Sequence, residues 1–285
     1  VNVSFFGVRG STPCGCESNG RYGGNTACVL VESPSTDPIL LDLGTGLRFA
    51  GQTLPPDGPV QAHALVTHLH WDHVQGLPFF TPLLRASARL DVWGPDQATE
   101  TLGEAFERFM GPPYFPVSVA DLPGHVAFHR FDDERRVIGG AEVLARRVPH
   151  VGPTNGYRIT VGDVSIAYVP DHQQPVDGSL DISDEVLELC DGVDLLIHDA
   201  QYTPEEFTAK STWGHCTVEF ALSVAGRGAR AGARRLVLFH HDPSHGDDMV
   251  DRLLAEARAH PLAEKLDEVL AAHEGLTISL SPADG

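Results

Sequence analysis

The chain has 285 residues, with 39 acidic against 20 basic side chains and a formal charge of −19. A surface that negative repels nucleic-acid phosphates at long range, which argues against a large DNA or RNA partner. Hydrophobic residues make up 42% of the chain, enough for a substantial core, but no apolar run is long enough to span a bilayer; the five cysteines form no even disulfide framework, which suits a reducing compartment and makes the cytoplasm the expected location.

The early strands are short, β-branched and punctuated by Gly and Pro: Val3–Val8, Ala27–Val31, Ile39–Leu43 and Ala64–Thr67. Leu41-Asp42-Leu43-Gly44-Thr45-Gly46 marks a tight turn into a short helix. Arg89–Trp93 is a further strand, and Ala98–Phe109 has helical spacing, with Leu102, Ala105, Phe106 and Phe109 on one face. Met110–Pro123 is rich in Pro and aromatic residues and reads as a loop, either packed on the surface or overhanging a pocket. Farther on, Glu142–Val148, Tyr157–Val161, Val164–Val169, Asp194–His198 and Arg235–Phe239 read as strands, and Thr217–Ala225 and Asp247–Ala259 as helices. Sheets interleaved with late helices, without a low-complexity linker, predict one domain over residues 1–285, a sandwich of sheets flanked by helices.

Chemistry concentrates in Thr67-His68-Leu69-His70-Trp71-Asp72-His73, just after the apolar strand Ala64-Leu65-Val66. In extended chain His68 and His70 point the same way; a turn into helix would swing Asp72 and His73 toward the same space. Three imidazoles and a carboxylate within six residues form a borderline-soft set suited to zinc. Three more such residues follow apolar strands: His150, Asp171 and His240. Strand ends sharing one rim of a sheet can converge on one site. His241, His172 and His198 adjoin these segments; alternation along a strand lets only one of His240 and His241 reach the site and favours His240, His172 is expected beside the site or exposed, and His198 is expected to be a buried structural residue.

The run His68-Leu69-His70-Trp71-Asp72-His73 resembles the HxHxDH signature of the metallo-β-lactamase superfamily, and His150, Asp171 and His240 match its later metal motifs in order and spacing. The resemblance covers Val3 to His241 and implies an α/β fold, the four-layer αββα metallo-β-lactamase sandwich, with two metal ions at one edge of the sheets. It implies His68, His70 and His150 on the first ion, Asp72, His73 and His240 on the second, and Asp171 bridging both. Asp42 matches the family's early aspartate, which braces the ligand loop. Two Zn2+ ions are expected, with Mn2+ or Fe2+ as the other ions such ligands take. The resemblance also allows a homodimer.

His70 stands where the redox di-iron members carry Glu, and Asp171 where two-zinc β-lactamases usually carry Cys, so hydrolysis is favoured over both. Two ions can acidify a shared water and clamp the attacking and leaving oxygens. The chain looks most like the phosphodiesterase branch, which includes ribonuclease Z and a cyclic-phosphate phosphodiesterase. Trp213-Gly214-His215-Cys216-Thr217 resembles that branch's His-x-Thr segment, whose histidine protonates the leaving oxygen. On that reading Asp72 and His215 are the catalytic residues; the other reading of His215 is a neighbour of a helix capped by Thr217. Of the structural zinc ligands of the cyclic-phosphate enzyme, Cys14 and Cys16 are present, but Asn19 and Pro243 replace the others. No basic, Gly-rich arm of the kind that reaches tRNA is present. The expected function is dinuclear metal-dependent hydrolysis of a small or cyclic phosphodiester; a lactonase or other C–O/C–N hydrolase, and a ribonuclease Z-like endonuclease, are the alternatives on the same ligands.

Overall fold

In a computed structural model of the chain, which describes residues 1–227 and 232–281, the strands form two seven-stranded sheets. Strands β1 (Asn2–Gly7), β2 (Cys28–Glu32), β3 (Ile39–Leu41), β4 (Val60–Leu65), β5 (Ala88–Gly94) and β6 (His125–Arg130) lie side by side in that order in the first sheet. The second holds β7 (Arg135–Ile138), β8 (Ala141–Arg147), β9 (Asn155–Val161), β10 (Val164–Val169), β11 (Leu195–Asp199), β12 (Arg235–Phe239) and β13 (Glu268–Ala271), while β14 (Thr277–Ser279) returns to the first sheet beside β1. In each sheet an antiparallel part leads into four parallel strands, β3 to β6 in the first and β10 to β13 in the second.

The helices are α1 (Leu47–Thr53), α2 (Trp71–Val74), α3 (Leu102–Phe109), α4 (Asp184–Cys190), α5 (Pro204–Lys210), α6 (Val218–Ala225) and α7 (Asp247–Ala259). The layering follows from which faces are apolar. Phe5, Val29, Leu41, Ile159, Ile166, Ile197 and Phe239 meet in a core between the sheets. The other face of the first sheet buries Leu30, Leu40 and Leu90 against Leu47, Phe106 and neighbouring turns, and that of the second buries Leu196 and Leu238 against Leu189, Phe220 and Ala257. Central strands buried on both faces explain the mostly apolar β10, interrupted only by Ser165, where every residue is buried. The expected αββα sandwich is therefore the fold.

Several boundaries differ from the sequence reading. The helix expected from Ala98 starts at Leu102, because Thr101 and Glu104 form a reciprocal capping box. Thr217 likewise caps α6 by accepting from the Phe220 amide. The unforeseen β6, β7, β13 and β14 all lie at sheet edges; β6 and β7 are partly exposed along their length and lack alternation, and β13 and β14 span only four and three residues. Met110–Pro123 is a loop apart from one 3-10 turn, Val119–Asp121. Among the described residues, no helix is long and apolar enough to cross a membrane.

Candidate metal centre

Loops leaving the C-terminal ends of strands β4, β8, β10 and β12 carry the site. After β4 the chain runs through Thr67–His70 and turns into α2, whose first turn holds Asp72 and His73. His150 follows β8, Asp171 follows β10, and His240 follows β12. Two main groups of donor atoms result, His68, His70, His150 and Asp171, and next to it Asp72, His73 and His240, while Asp171, His215 and His240 form a third that overlaps both. All seven residues expected from the sequence are brought together.

The spacing of the donor atoms is that of ligands gathered round shared ions. In the first group His68 Nε2 lies 2.8 Å from His70 Nδ1, His150 Nε2 lies 3.3 Å from the same atom, and Asp171 Oδ2 lies 3.7 and 3.6 Å from His68 and His150. In the second, Asp72 Oδ2, His73 Nε2 and His240 Nε2 are 3.1–3.3 Å apart. Asp171 Oδ1 completes that set, 3.1 Å from His73 Nε2 and 3.4 Å from His240 Nε2. A tetrahedral zinc with bonds of about 2.05 Å spaces its ligand atoms about 3.3 Å apart, which these edges approach apart from the shorter 2.8 Å edge between His68 and His70. Asp171 Oδ1 is buried without a hydrogen-bond donor aimed at it. Asp171 thus offers one oxygen to each group, as a bridging carboxylate must.

The far nitrogens fix which lone pairs face inward. His73 Nδ1 donates to Asp42 Oδ2 at 2.7 Å, His150 Nδ1 to the Gly214 carbonyl at 2.7 Å, and His240 Nδ1 to Gln201 Oε1 at 2.8 Å. In the neutral ring each Nε2 is then left as a lone pair directed at the centre. Burial keeps His68, His70 and His150 below the ordinary histidine range and hence neutral. Burial opposes charge on His73 and His240 as well, yet Asp171, Asp72 and Asp42 lift His73 well above that range, and Asp171 and Asp72 lift His240. Burial opposes ionisation of Asp171 too, but His240, His73 and His68 hold its carboxyl well below the usual range. A centre with this balance draws in positive charge, and the donor set fits divalent metal ions.

Asp42 is the brace. Its Oδ1 accepts from the Thr67 amide at 2.8 Å, and its Oδ2 from His73 Nδ1 and from the Tyr168 hydroxyl at 2.9 Å, while Thr67 Oγ1 reaches both oxygens. Removing it orphans several buried donors, at about 1–3 kcal/mol each. Asp42→Ala is therefore expected to lose about 3 kcal/mol or more of folding stability and to weaken divalent-ion binding about 10- to 100-fold. Denaturant unfolding and competition against a chelator measure the two; an unchanged unfolding midpoint would contradict the bracing role.

Backbone strain marks the same place. Asp42, Ser11 and His240 all adopt positive φ without being glycine, at 58°, 61° and 59°. That turn at His240, rather than strand alternation, sends its ring into the centre; β12 has ended at Phe239. His241 points away, its Nε2 donating to the Ala272 carbonyl. Gly10 packs beneath the His240 ring, where a Cβ would lie 2.3 Å from Nδ1, and the Ser11 amide donates to Asp72 Oδ2 at 2.7 Å.

His215 stands over the second group, its ring stacked on His240 with centroids 4.9 Å apart. Its Nδ1 donates to Asp199 Oδ2 at 2.9 Å and lies 3.8 Å from Asp171 Oδ2. Asp199 went unrecognised in the sequence, although it ends a buried strand at the rim that carries Asp171 and His240. It is fully buried and also accepts from the amides of His172 and Gln201. Gln174, which accepts from the amide and hydroxyl of Thr217, was missed too. His172 and His198 are buried and bonded to each other at 2.9 Å, behind the site. Cys14 and Cys16 hydrogen-bond to Asn19 and Ser18 and belong to no group of metal-binding side chains among the described residues.

The family model for the beta-lactamase superfamily domain matches residues 37–241, well over half of the chain. An uncharacterized protein of Mycobacterium tuberculosis is 29% identical over 235 residues, covering 80% of this chain and 78% of that protein. A ribonuclease Z of Natronomonas pharaonis is 25% identical over 292 residues, covering 87% of this chain and 89% of that one. The solved structure of the metallo-beta-lactamase fold protein YhfI from Bacillus subtilis superposes with a TM-score of 0.70 at 20% identity, over 97% of this chain and 98% of that one. With the fold, the ligand geometry and the family match in agreement, the chain belongs to the beta-lactamase superfamily and is a hydrolase of the metallo-β-lactamase fold.

Proposed function

We propose that this hydrolase is a phosphodiesterase working with two zinc ions on a small or cyclic phosphodiester. His68, His70 and His150 would hold one ion and Asp72, His73 and His240 the other, with Asp171 shared. The observation that carries the reading is the placement of an aspartate-held histidine, His215 on Asp199, beside the carboxylate that faces both ligand groups. When bound, the ions supply an acidified water nucleophile and neutralise charge on the phosphoryl oxygens. Asp199 commits the Nδ1 proton of His215, so Nε2 is the nitrogen left to pass a proton to the departing alkoxide. Asp42, Gln201 and the Gly214 carbonyl hold three imidazoles in the tautomer that presents Nε2 inward.

A small substrate is favoured by the charge of −19, which repels a polyanion; the ribonuclease Z relative lends support to phosphodiester chemistry as such. The test is turnover by the zinc-loaded protein on bis(p-nitrophenyl) phosphate, a cyclic nucleotide, an aliphatic lactone and precursor tRNA. Both small phosphodiesters should be cleaved, with little action on the other two. Lactone turnover with inert phosphodiesters would overturn the reaction class; efficient tRNA trimming with steep salt dependence would overturn the substrate size.

A further inference from the structure

A cleft of about 500 Å³ opens beside the metal centre, in the range of small-molecule sites. One helical turn separates the two. In α2 and the residue that follows it, Trp71, Val74 and Gln75 share the face that lines the cleft, while Asp72 and His73 point into the centre from the other side. Leu69, which precedes the exposed ligand His70, lines the cleft too. The opposite wall is the aromatic loop after α3, which carries Tyr114 and Phe115. Phe79 and Phe115 meet edge to face at 6.0 Å.

The rim is unusually apolar for an open surface. Trp71 is 71% exposed, Tyr114 78% and Phe79 55%, three large rings that solvent would otherwise disfavour. Among the described residues, the one ionic side chain lining the cleft is Arg108, and its guanidinium is already held by Glu100. The cleft therefore offers nothing to a phosphate and much to a flat apolar ring: aromatic faces and edges, and continuity with the ligand loop.

We infer that this cleft is a substrate subsite for a planar aromatic group, carried on the retained alcohol of the phosphodiester a few atoms from phosphorus. The inference rests on the phosphodiesterase reading above and narrows its substrate class. The ring would bind away from the reacting atoms, so its contribution is to KM rather than kcat.

A matched pair of substrates tests it. Ethyl p-nitrophenyl phosphate and 2-phenylethyl p-nitrophenyl phosphate share a leaving group and a linker and differ by one phenyl ring. In each, the oxygen of water bonds to phosphorus, the P–O bond to p-nitrophenolate breaks, and an alkyl phosphate remains. The zinc-loaded protein is expected to prefer the phenylethyl ester by about 10- to 100-fold in kcat/KM, as burial of one ring implies. Phe79→Ala and Tyr114→Ala should each reduce that ratio several-fold, Tyr114 being too exposed for its loss to threaten folding. Cleavage of both esters at equal kcat/KM would overturn the subsite while leaving the phosphodiesterase reading intact. Inertness toward both would remove that reading and the subsite with it. A wild-type dimer that Tyr114→Ala turns into a monomer would assign the cleft to a second copy of the chain and overturn the inference.

Discussion

Asp171→Ala should reduce bound zinc from about two ions per chain to less than one and slow phosphodiester hydrolysis by about 10³-fold or more, the several kcal/mol that a bound metal contributes at the transition state. The size of the effect follows from position. Asp171 alone contributes to both ligand groups, with Oδ2 toward His68 and His150 and Oδ1 toward His73 and His240. Losing it leaves each group one ligand poorer and removes a buried negative charge from among the imidazoles. Asp171→Asn should be milder, since the amide keeps one oxygen that can serve one ion. Elemental analysis of the purified variants, alongside turnover of bis(p-nitrophenyl) phosphate, measures both. Full two-ion content with near-normal turnover in Asp171→Ala would sink the bridging role.

How much of this could be read from the sequence depended on whether the controlling interactions were local. His68, His70, Asp72 and His73 lie within one strand end and one helical turn, so their spacing alone predicts convergence. His150, Asp171 and His240 were legible because each follows an apolar strand, and β8, β10 and β12 run in the same direction and end at one rim. Asp199 also ends such a strand, but it binds a histidine rather than facing the ion groups, and no motif at its position marks that contact. Tyr168 and Gln174 act through hydrogen bonds spanning 126 and 43 residues of sequence, which no local pattern encodes. The left-handed turn at His240 was equally hidden: alternation picked the right residue, but the backbone reaches it by leaving the strand. The aromatic cleft shows the same limit, since Gly111-Pro112-Pro113-Tyr114-Phe115 declares a loop but says nothing of what lies across from it.

His215→Ala should separate substrates by their leaving group. In phosphodiester hydrolysis the departing oxygen gains negative charge as its bond to phosphorus stretches, and a positioned acid relieves it with a proton. An alkyl or ribose oxygen needs that proton; p-nitrophenolate leaves readily without it. General-acid assistance is typically worth about 10²–10⁴-fold. The variant is therefore expected to lose activity in that range on alkyl or cyclic phosphodiesters, to lose far less on p-nitrophenyl esters, and to keep both metals, because His73 and His240 hold their own partners in Asp42 and Gln201. Asp199→Asn should show the same selectivity in weaker form, because an amide still accepts from Nδ1 but no longer stabilises the charged ring. Equal losses on both kinds of ester would assign His215 to phosphate binding or to support of α6, and undiminished activity on every substrate would take it out of the reaction.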